Sequence, residues 1–303
     1  MKILTLGDGF IANHLPYEQI RDEDGHPFRL TPNEEDVDYC LSKDKPDVII
    51  NCLGRTGRPN VDWCESHRAE TYLANVTLPL MIAEWCEAHD VHMIQIGSGC
   101  IYFGPSPNMG YGMYCGPDPK YKGYTSTDHG WLETDFANPQ SYYSKTKYAC
   151  DLALGEMPNV TTLRIRMPLS EKDTPRNLIN KLRGYKEVID IPNSVTFMSD
   201  LIRCVDWAAH SSLGAGIFHV VNPQPLTAAR IMQEFQKHVP NHKFEIIGER
   251  RLQDLVVAKR SNCILSGEKL LKEGFRMTPT EDELKYCMSH YIKNMNQEGL
   301  YVK

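Results

Sequence analysis

Short apolar runs alternate with longer stretches of helical period through the first half of the chain. Residues 3–6 (ILTL) form an apolar run ending at Gly7, and a helical stretch is expected after it. A second strand is predicted at residues 28–30. Asn33, ahead of Glu34 and Glu35, is placed as the N-cap of the next helix, because its side-chain oxygen can accept from the first unpaired N–H groups. Residues 47–51 (DVIIN) read as a buried strand between Lys45-Pro46 and Gly54. Helical stretches cover 69–88 and 141–154, and the apolar run at 91–96 and the stretch at 161–165 read as strands. Strands separated by helices predict an α/β fold of Rossmann type, a doubly wound parallel sheet with helices on both faces.

Residues 103–140 break this rhythm. They are rich in Gly, Pro and Tyr with no sustained period. A long connection of this kind in a compact domain is commonly functional, so a lid or contact loop is expected there. Beyond Pro168 the pattern is less regular, with helices at 177–184 and 227–238 and a strand at 216–222. The strand is expected to return to the main sheet. The remaining pieces would form a smaller cap over the strand carboxyl ends, where open α/β sheets bind ligands. This places a dinucleotide-binding domain at 1–168 plus 195–224, and a substrate-binding cap at 169–194 plus 225–303.

Composition narrows the partners. The chain has 303 residues, with 33 Lys and Arg against 39 Asp and Glu, for a formal charge of −6. A weakly acidic chain argues against nucleic acid, whose phosphates call for a basic face. The run at residues 3–6 is too short for a signal segment or a membrane span, and no later stretch approaches one, so a cytoplasmic protein without membrane contact is expected. Ten cysteines occur singly, without a C-x-x-C pair, and are expected to be free thiols. Eleven histidines include no H-E-x-x-H and no Cys/His cluster at zinc spacing, so no metal is expected.

Two motifs carry chemistry. Gly7-Asp8-Gly9-Phe10-Ile11-Ala12 matches G-x-G-x-x-G/A directly after a strand. Gly7 permits the tight turn, Gly9 lets backbone approach a pyrophosphate, and Ala12 allows close helix packing. Pro16 implies a short or distorted first helix. Arg29, near the end of the predicted second strand, favours a 2′-phosphate and hence NADP, with NAD left open. In Tyr143-Ser144-Lys145-Thr146-Lys147, Tyr and Lys at i and i+4 share a helix face. The Lys147 ammonium is expected to lower the Tyr143 phenol from its usual value near 10, so that Tyr143 can protonate a carbonyl oxygen as hydride arrives. Ser98 would supply a second hydroxyl to the same oxygen.

The chain resembles the extended short-chain dehydrogenases. Within them it resembles the nucleotide-rhamnose synthases, bifunctional NDP-4-keto-6-deoxyglucose 3,5-epimerase/4-reductases related to dTDP-4-dehydrorhamnose reductase and GDP-fucose synthase. The resemblance rests on residues 57–67 (GRPNVDWCESH), then Gly99-Cys100-Ile101, the Tyr143–Lys147 motif, 163–168 (LRIRMP), 175–177 (PRN), 190–194 (DIPNS) and 260–262 (RSN). It covers residues from about 45 to about 265. The spacing from Cys100 to Tyr143 exceeds that of the subgroup, with extra sequence around 110–126 that includes Tyr111, Tyr114, Tyr121 and Tyr124. Lys259 stands where a proline is expected.

The resemblance implies roles. Ser98, Tyr143 and Lys147 would form the reductase triad. Asn51 and Gly54 would lie beside the cofactor, with Arg166 and Pro168 following the strand that abuts the nicotinamide. Arg58, Asn177, Asn193 and Arg260 would line the sugar-nucleotide pocket. Cys100 and Lys181 would be the two acid/base groups of epimerisation, Cys100 pointing to the same side as Ser98 along an extended chain. Tyr143 and Ser98 would hold the oxygen of an enolate before they assist reduction. A reductase acting only on dTDP-4-dehydrorhamnose, and a regulatory subunit that binds NADP without turnover, stay open as alternatives. The helices at 69–88 and 141–154 correspond to the pair that often forms a homodimer bundle.

Overall fold

The computed structural model describes residues 1–22, 24–26, 30–108, 130–211 and 213–297. Six parallel strands form the central sheet: β1 (Ile3–Leu6), β2 (Glu18–Gln19), β3 (Val48–Asn51), β4 (His92–Ser98), β5 (Val160–Ile165) and, after three shorter strands, β9 (Gly216–Val220). Their order is β2-β1-β3-β4-β5-β9. The register pairs Leu6 with Asn51 and Ser98 with Ile165. Strand order reverses between β1 and β3, and a doubly wound sheet binds ligands in the crevice at that point.

β1 pairs with Glu18–Gln19, and of the strand expected at 28–30, Phe28 and Arg29 lie outside the described residues. Among the described residues β2 is a polar edge strand with a neighbour on one side only, so it carries no apolar run.

The helix at 34–42 begins as expected, with Asn33 Oδ1 accepting from Glu35 N at 2.7 Å. The stretch at 69–88 is not one regular helix. It divides into Arg68–Tyr72, a π turn at Leu73–Thr77 and Leu78–Ala88. Pro79 has no N–H to give the Asn75 carbonyl and its ring crowds that carbonyl, so the preceding turn widens.

Two apolar clusters cover the sheet. One joins it to the helix Met198–His210 through Leu201, Cys204 and Val205. The other joins it to the helices at 34–42, 78–88 and 142–154 through Leu41, Ile82 and Leu154. A third cluster is separate. It gathers residues from 169–197 and 226–295, including Leu169, Ile179, Phe197, Phe235 and Tyr291. Two small sheets accompany it, β6 (Pro168–Leu169) beside β8 (Thr196–Phe197), and β7 (Glu187–Ile189) beside β10 (Glu245–Ile247). Among the described residues no helix is long and apolar enough to cross a membrane.

Of the connection at 103–140, residues 109–129 lie outside the described part, including Tyr111, Tyr114, Tyr121 and Tyr124. Its described end is anchored to the C-terminal half. Trp131 N donates to Ile264 O at 2.8 Å, and the Trp131 ring stacks on Tyr102 at 4.7 Å.

Candidate active site

Ser98 closes β4, and Tyr143 enters from the first turn of the helix Tyr142–Leu154. That helix start is held at two points. Ser141 Oγ accepts from Ser144 N at 3.1 Å, and Glu65 Oε1 accepts from Tyr142 N at 2.8 Å. Tyr143 and Ser98 are hydrogen-bonded to each other, and Cys100 lies within electrostatic reach of the phenol. Residues Gly99–Ile101 form a 3-10 turn, with Cys100 N donating to Ser98 Oγ at 3.2 Å. The turn, not strand alternation, brings Cys100 toward Tyr143. This corrects the expectation of an extended chain there.

Lys147 is buried, and its Nζ donates to Ile96 O at 3.4 Å. The expected lowering of the Tyr143 phenol is overturned. Burial raises it, the neighbouring Cys100 raises it further, and the hydrogen bond from Ser98 opposes them without prevailing. A phenol held in its protonated form is a proton donor, which is the form the chemistry calls for.

The glycine loop lies at the β1 carboxyl end. Gly7 has φ +111°, and a Cβ there would stand 3.4 Å from the carbonyl of Cys52. A Cβ on Gly9 would meet nothing within 4 Å, so its backbone is open to a ligand. The helix expected after the motif is only a 3-10 turn, Ala12–His14. Pro16 forces Leu15 into an extended conformation (φ −72°, ψ 142°), which ends the turn. Ala12 is fully buried, as close packing requires, while Phe10 and Ile11 stay partly exposed.

Asn51 is buried at the end of β3. Its Nδ2 donates to Gln95 Oε1 at 2.8 Å and its Oδ1 accepts from Leu53 N at 3.0 Å, shaping the turn into Gly54. Asn51 therefore orients the loop, with one amide N–H and one oxygen lone pair engaged.

The residues expected at the substrate pocket divide by what they touch. Asn177 is fully buried and saturated. It donates to Ser170 O at 2.6 Å and Lys172 O at 2.8 Å, and accepts from Ser170 N and Ile179 N, both at 3.3 Å. Its place as a direct substrate contact is corrected to a brace for residues 170–172 and a cap for the helix Leu178–Arg183. Asn193 is likewise enclosed, accepting from Arg166 Nη2 at 2.8 Å and Cys263 N at 3.1 Å while donating to Asn262 Oδ1 at 3.1 Å. It holds Arg166 instead of facing a pocket.

Arg260 pairs with Asp62 in two bonds, Nη1 to Oδ1 at 2.6 Å and Nη2 to Oδ2 at 3.1 Å. Burial alone would raise Asp62, but donation from Arg260 and from the Ala258 and Val257 backbone holds its carboxyl below the usual range. Arg58 is exposed.

Arg166 was expected beside the cofactor. It turns instead toward Cys100, with Nη1 3.3 Å from Sγ. Pro168 pairs through β6 with Thr196 and sits half-buried. Lys181, on the helix Leu178–Arg183, is kept below the ordinary lysine range by burial first and by the Arg176 cation second. The described interactions of Lys181 lead to Arg176 and not to Cys100 or Tyr143.

Residues 26–293 match the family described as RmlD substrate binding domain. The chain belongs to this family. It is 36% identical over 243 residues to a trifunctional UDP-glucose 4,6-dehydratase/UDP-4-keto-6-deoxy-D-glucose 3,5-epimerase/UDP-4-keto-L-rhamnose-reductase of Arabidopsis thaliana, covering 79% of this chain and 34% of that protein. The chain thus spans about a third of the length of that relative. It is also 35% identical over 233 residues to a bifunctional dTDP-4-dehydrorhamnose 3,5-epimerase/dTDP-4-dehydrorhamnose reductase of the same plant, covering 76% of this chain and 72% of that one. Among solved structures, it is similar to the L780 UDP-rhamnose synthase of Acanthamoeba polyphaga mimivirus. The TM-score is 0.81 at 25% identity, over 96% of this chain and 99% of that one.

Sequence reasoning missed several residues that build this RmlD-type site. Asn75, in the π turn, accepts from Arg55 N at 2.7 Å and donates to Thr146 Oγ1 at 3.1 Å, tying the loop after β3 to the Tyr143 helix. An unusual turn at Pro79 was the available signal. His14 joins the glycine loop to the C-terminal half, Nδ1 donating to Phe10 O at 2.6 Å and Nε2 accepting from Ser170 Oγ at 2.7 Å. Arg176 Nη1 donates to Thr56 Oγ1 at 3.0 Å, so the PRN block reaches the loop beside GRPN.

The residues present fit a dinucleotide. The Gly9 backbone is open, and the N–H groups of Gly9, Phe10 and Ile11 donate to no protein acceptor among the described residues, which suits a diphosphate. Ser98, Tyr143 and Lys147 stand at the far side of the β1–β3 crevice, where the reactive end of such a cofactor would lie.

Proposed function

We propose that the chain reduces the 4-ketone of an NDP-4-keto-6-deoxy sugar, with NADPH as cofactor and NAD as the alternative, and that it also inverts C3 and C5 to give an NDP-L-rhamnose. Membership in the RmlD substrate binding domain family and the likeness to plant sugar-nucleotide reductases support the reductase. One observation carries the epimerase: Cys100 stands within reach of the hydrogen-bonded Ser98–Tyr143 pair, with an arginine on its sulfur. The bound cofactor would supply the hydride, held by the Gly7–Ala12 loop, the Asn51–Gly54 turn and Lys147.

Tyr143 and Ser98 donate hydrogen bonds to the C4 oxygen. Hydrogens at C3 and C5 are acidified by that ketone. Their removal by Cys100 places charge on the same oxygen, where the two hydroxyls meet it. Inversion needs a proton from the opposite face, and Lys181 is the candidate donor. Reduction then uses Tyr143 as the acid. Arg58 and Arg260 border the nucleotide end. We assign residues 1–168 and 195–224 to the cofactor half and 169–194 and 225–303 to the substrate half, in keeping with the separate apolar cluster of the latter. A homodimer through the helices at 68–88 and 142–154 is part of the proposal. Tyr72, Leu73 and Leu152 are exposed on them.

The test uses purified protein, an NDP-4-keto-6-deoxyglucose and NADPH in deuterated water. Deuterium at C3 and C5 of a reduced product is expected. Cys100→Ala is expected to abolish that incorporation while a supplied epimerised ketone is still reduced. Turnover of the epimerised ketone alone by the wild type would leave a reductase without epimerase activity.

A further inference from the structure

Arg176 reaches from the substrate half to the loop after β3. Its Nη1 donates to Thr56 Oγ1 at 3.0 Å and to the Gly57 carbonyl at 3.3 Å. Both acceptors are neutral. Among the described residues Nη2 and Nε donate to no protein acceptor, and no carboxylate lies within ion-pair distance of the guanidinium. Lys181 stands in the same position. It is half-buried, and the charged group that acts on it is Arg176, a like charge. The acids of the surrounding segments are already engaged. Asp173, three residues before Arg176, pairs with Arg183 at 3.2 Å and accepts from Asn180 and Tyr291. Asp62 pairs with Arg260 at 2.6 Å. Two neighbouring cations, partly withdrawn from water and without an anion, repel each other. They do so in a chain whose formal charge is −6. An anionic ligand seated on them removes that repulsion.

We propose that Arg176 binds the diphosphate of the NDP-sugar, its free Nη2–Nε edge donating to phosphate oxygens while Nη1 stays on the Thr56–Gly57 loop. This rests on the proposed sugar-nucleotide substrate and names the group that anchors it. A guanidinium presents two parallel N–H donors that match phosphate oxygens, and its weak hydration lets it do so when partly buried. The cofactor's diphosphate has its own place at the open Gly9–Ile11 backbone, which leaves Arg176 to the second nucleotide. Lys181 adds positive charge from the following helix. Arg55 and Arg58, both exposed, flank Thr56 and Gly57 and are likewise without a carboxylate partner among the described residues. A mouth lined by one sign of charge draws an anion toward it. Arg260 differs from these, because Asp62 already neutralises it.

The experiment is isothermal titration calorimetry on the full chain with UDP, dTDP and NADPH. Wild type is expected to bind one of the two nucleoside diphosphates, with an affinity that falls as salt is raised. Arg176→Gln should weaken that binding about 10–100-fold and flatten its salt dependence, while NADPH affinity stays within about twofold. Arg176→Lys keeps the charge without the fork and should recover part of the loss. Thr56→Val removes the recorded bond but leaves the guanidinium, so it should hold the nucleoside diphosphate within about threefold of wild type; this variant reads a purely structural tie separately. Unchanged affinity in Arg176→Gln would overturn the inference, as would an equal loss in Thr56→Val. A loss of NADPH binding in place of UDP or dTDP binding would assign the guanidinium to the cofactor and overturn it as well. The two levels fail in different ways. Wild type that binds neither UDP nor dTDP would sink the sugar-nucleotide reading together with the inference. Binding that Arg176→Gln leaves intact would sink the inference alone.

Discussion

Replacing Asp62 by Asn tests the link between the GRPNVDW block and the C-terminal half. Asp62 accepts two bonds from Arg260 and one from Ala258 N at 2.9 Å. Asn keeps one accepting oxygen but turns an NH2 toward the guanidinium. A hydrogen bond to a charged group contributes about 1.5–3 kcal/mol when enclosed. Both side chains here are 24% exposed, so solvent screens part of the Coulomb share. The expected loss is roughly 1–2 kcal/mol of unfolding free energy near neutral pH, read from urea denaturation. A double-mutant cycle with Arg260→Gln isolates the pair from the backbone bond, and the coupling should make up most of the loss. The pH dependence gives a second arm. Asp62 is held below its unfolded value of about 3.9, so its stabilisation is complete above that value and fades as pH falls through the folded one. In acid, wild type should therefore converge on Asp62→Asn. A difference below about 0.3 kcal/mol at neutral pH, or one that persists unchanged in acid, would refute the reasoning.

Three further outcomes are expected. Tyr143→Phe should lower kcat about 10²–10⁴-fold with little change in KM, because the lost group donates only as charge develops on the oxygen; a kcat within threefold of wild type would place the proton donor elsewhere. Asn177→Ala should cost roughly 2–3 kcal/mol in urea unfolding, since it strands the buried groups of Ser170 and Lys172 and removes a helix cap; a neutral effect would show those groups find other partners. Burial lowers His14, His92, His219 and His242 from the ordinary 6.5. Their unfolded forms take up protons first, so stability is full above about pH 6.5 and declines below it. The urea midpoint should be lower near pH 5.5 than near pH 7.5, and equal midpoints would count against it.

Strands β1, β3, β4 and β5 were legible because strands covered on both faces are rich in apolar and β-branched residues. β2 was not, because Glu18 and Gln19 sit at the edge of the described sheet and obey no such demand. A cap was legible at Asn33, where the side chain bonds to its own helix, while Ser141, read as part of its helix, turned out to cap it. The helix Met198–His210 carries Leu201, Cys204, Val205 and Ala208 at helical spacing, yet was passed over among shorter irregular pieces. At the site, Tyr143 and Lys147 declare themselves by local spacing. The Cys100–Arg166 contact spans 66 residues and follows from how the strand ends converge, which no local pattern encodes. Asn177, Asn193 and Arg260 stood out as members of blocks, but their work depends on what lies opposite. All three spend polar atoms on the protein itself.

That expenditure explains how the two halves of the site are held in register. Polar bonds cross between them at the mouth of the β1–β3 crevice: His14 to Ser170, Lys172 to Asn13 O at 3.4 Å, Arg176 to Thr56 and Arg260 to Asp62. The apolar cluster of residues 169–197 and 226–295 is separate from those that cover the sheet. Apolar contacts also join the halves, through the cluster of Ile101, Tyr102, Trp131, Cys263 and Leu265 and through Leu270, Phe275 and Met277 against the sheet, and these directional bonds add to them. Lys181 stands on the far half and Cys100 on the sheet half. In the proposed reaction, the faces they present to a sugar ring depend on contacts such as Arg176–Thr56, which lies beside Lys181 through Arg176 itself. Under that proposal, a loss of epimerisation without loss of reduction is the expected signature of loosening these bonds, since Ser98, Tyr143 and Lys147 all lie in the sheet half.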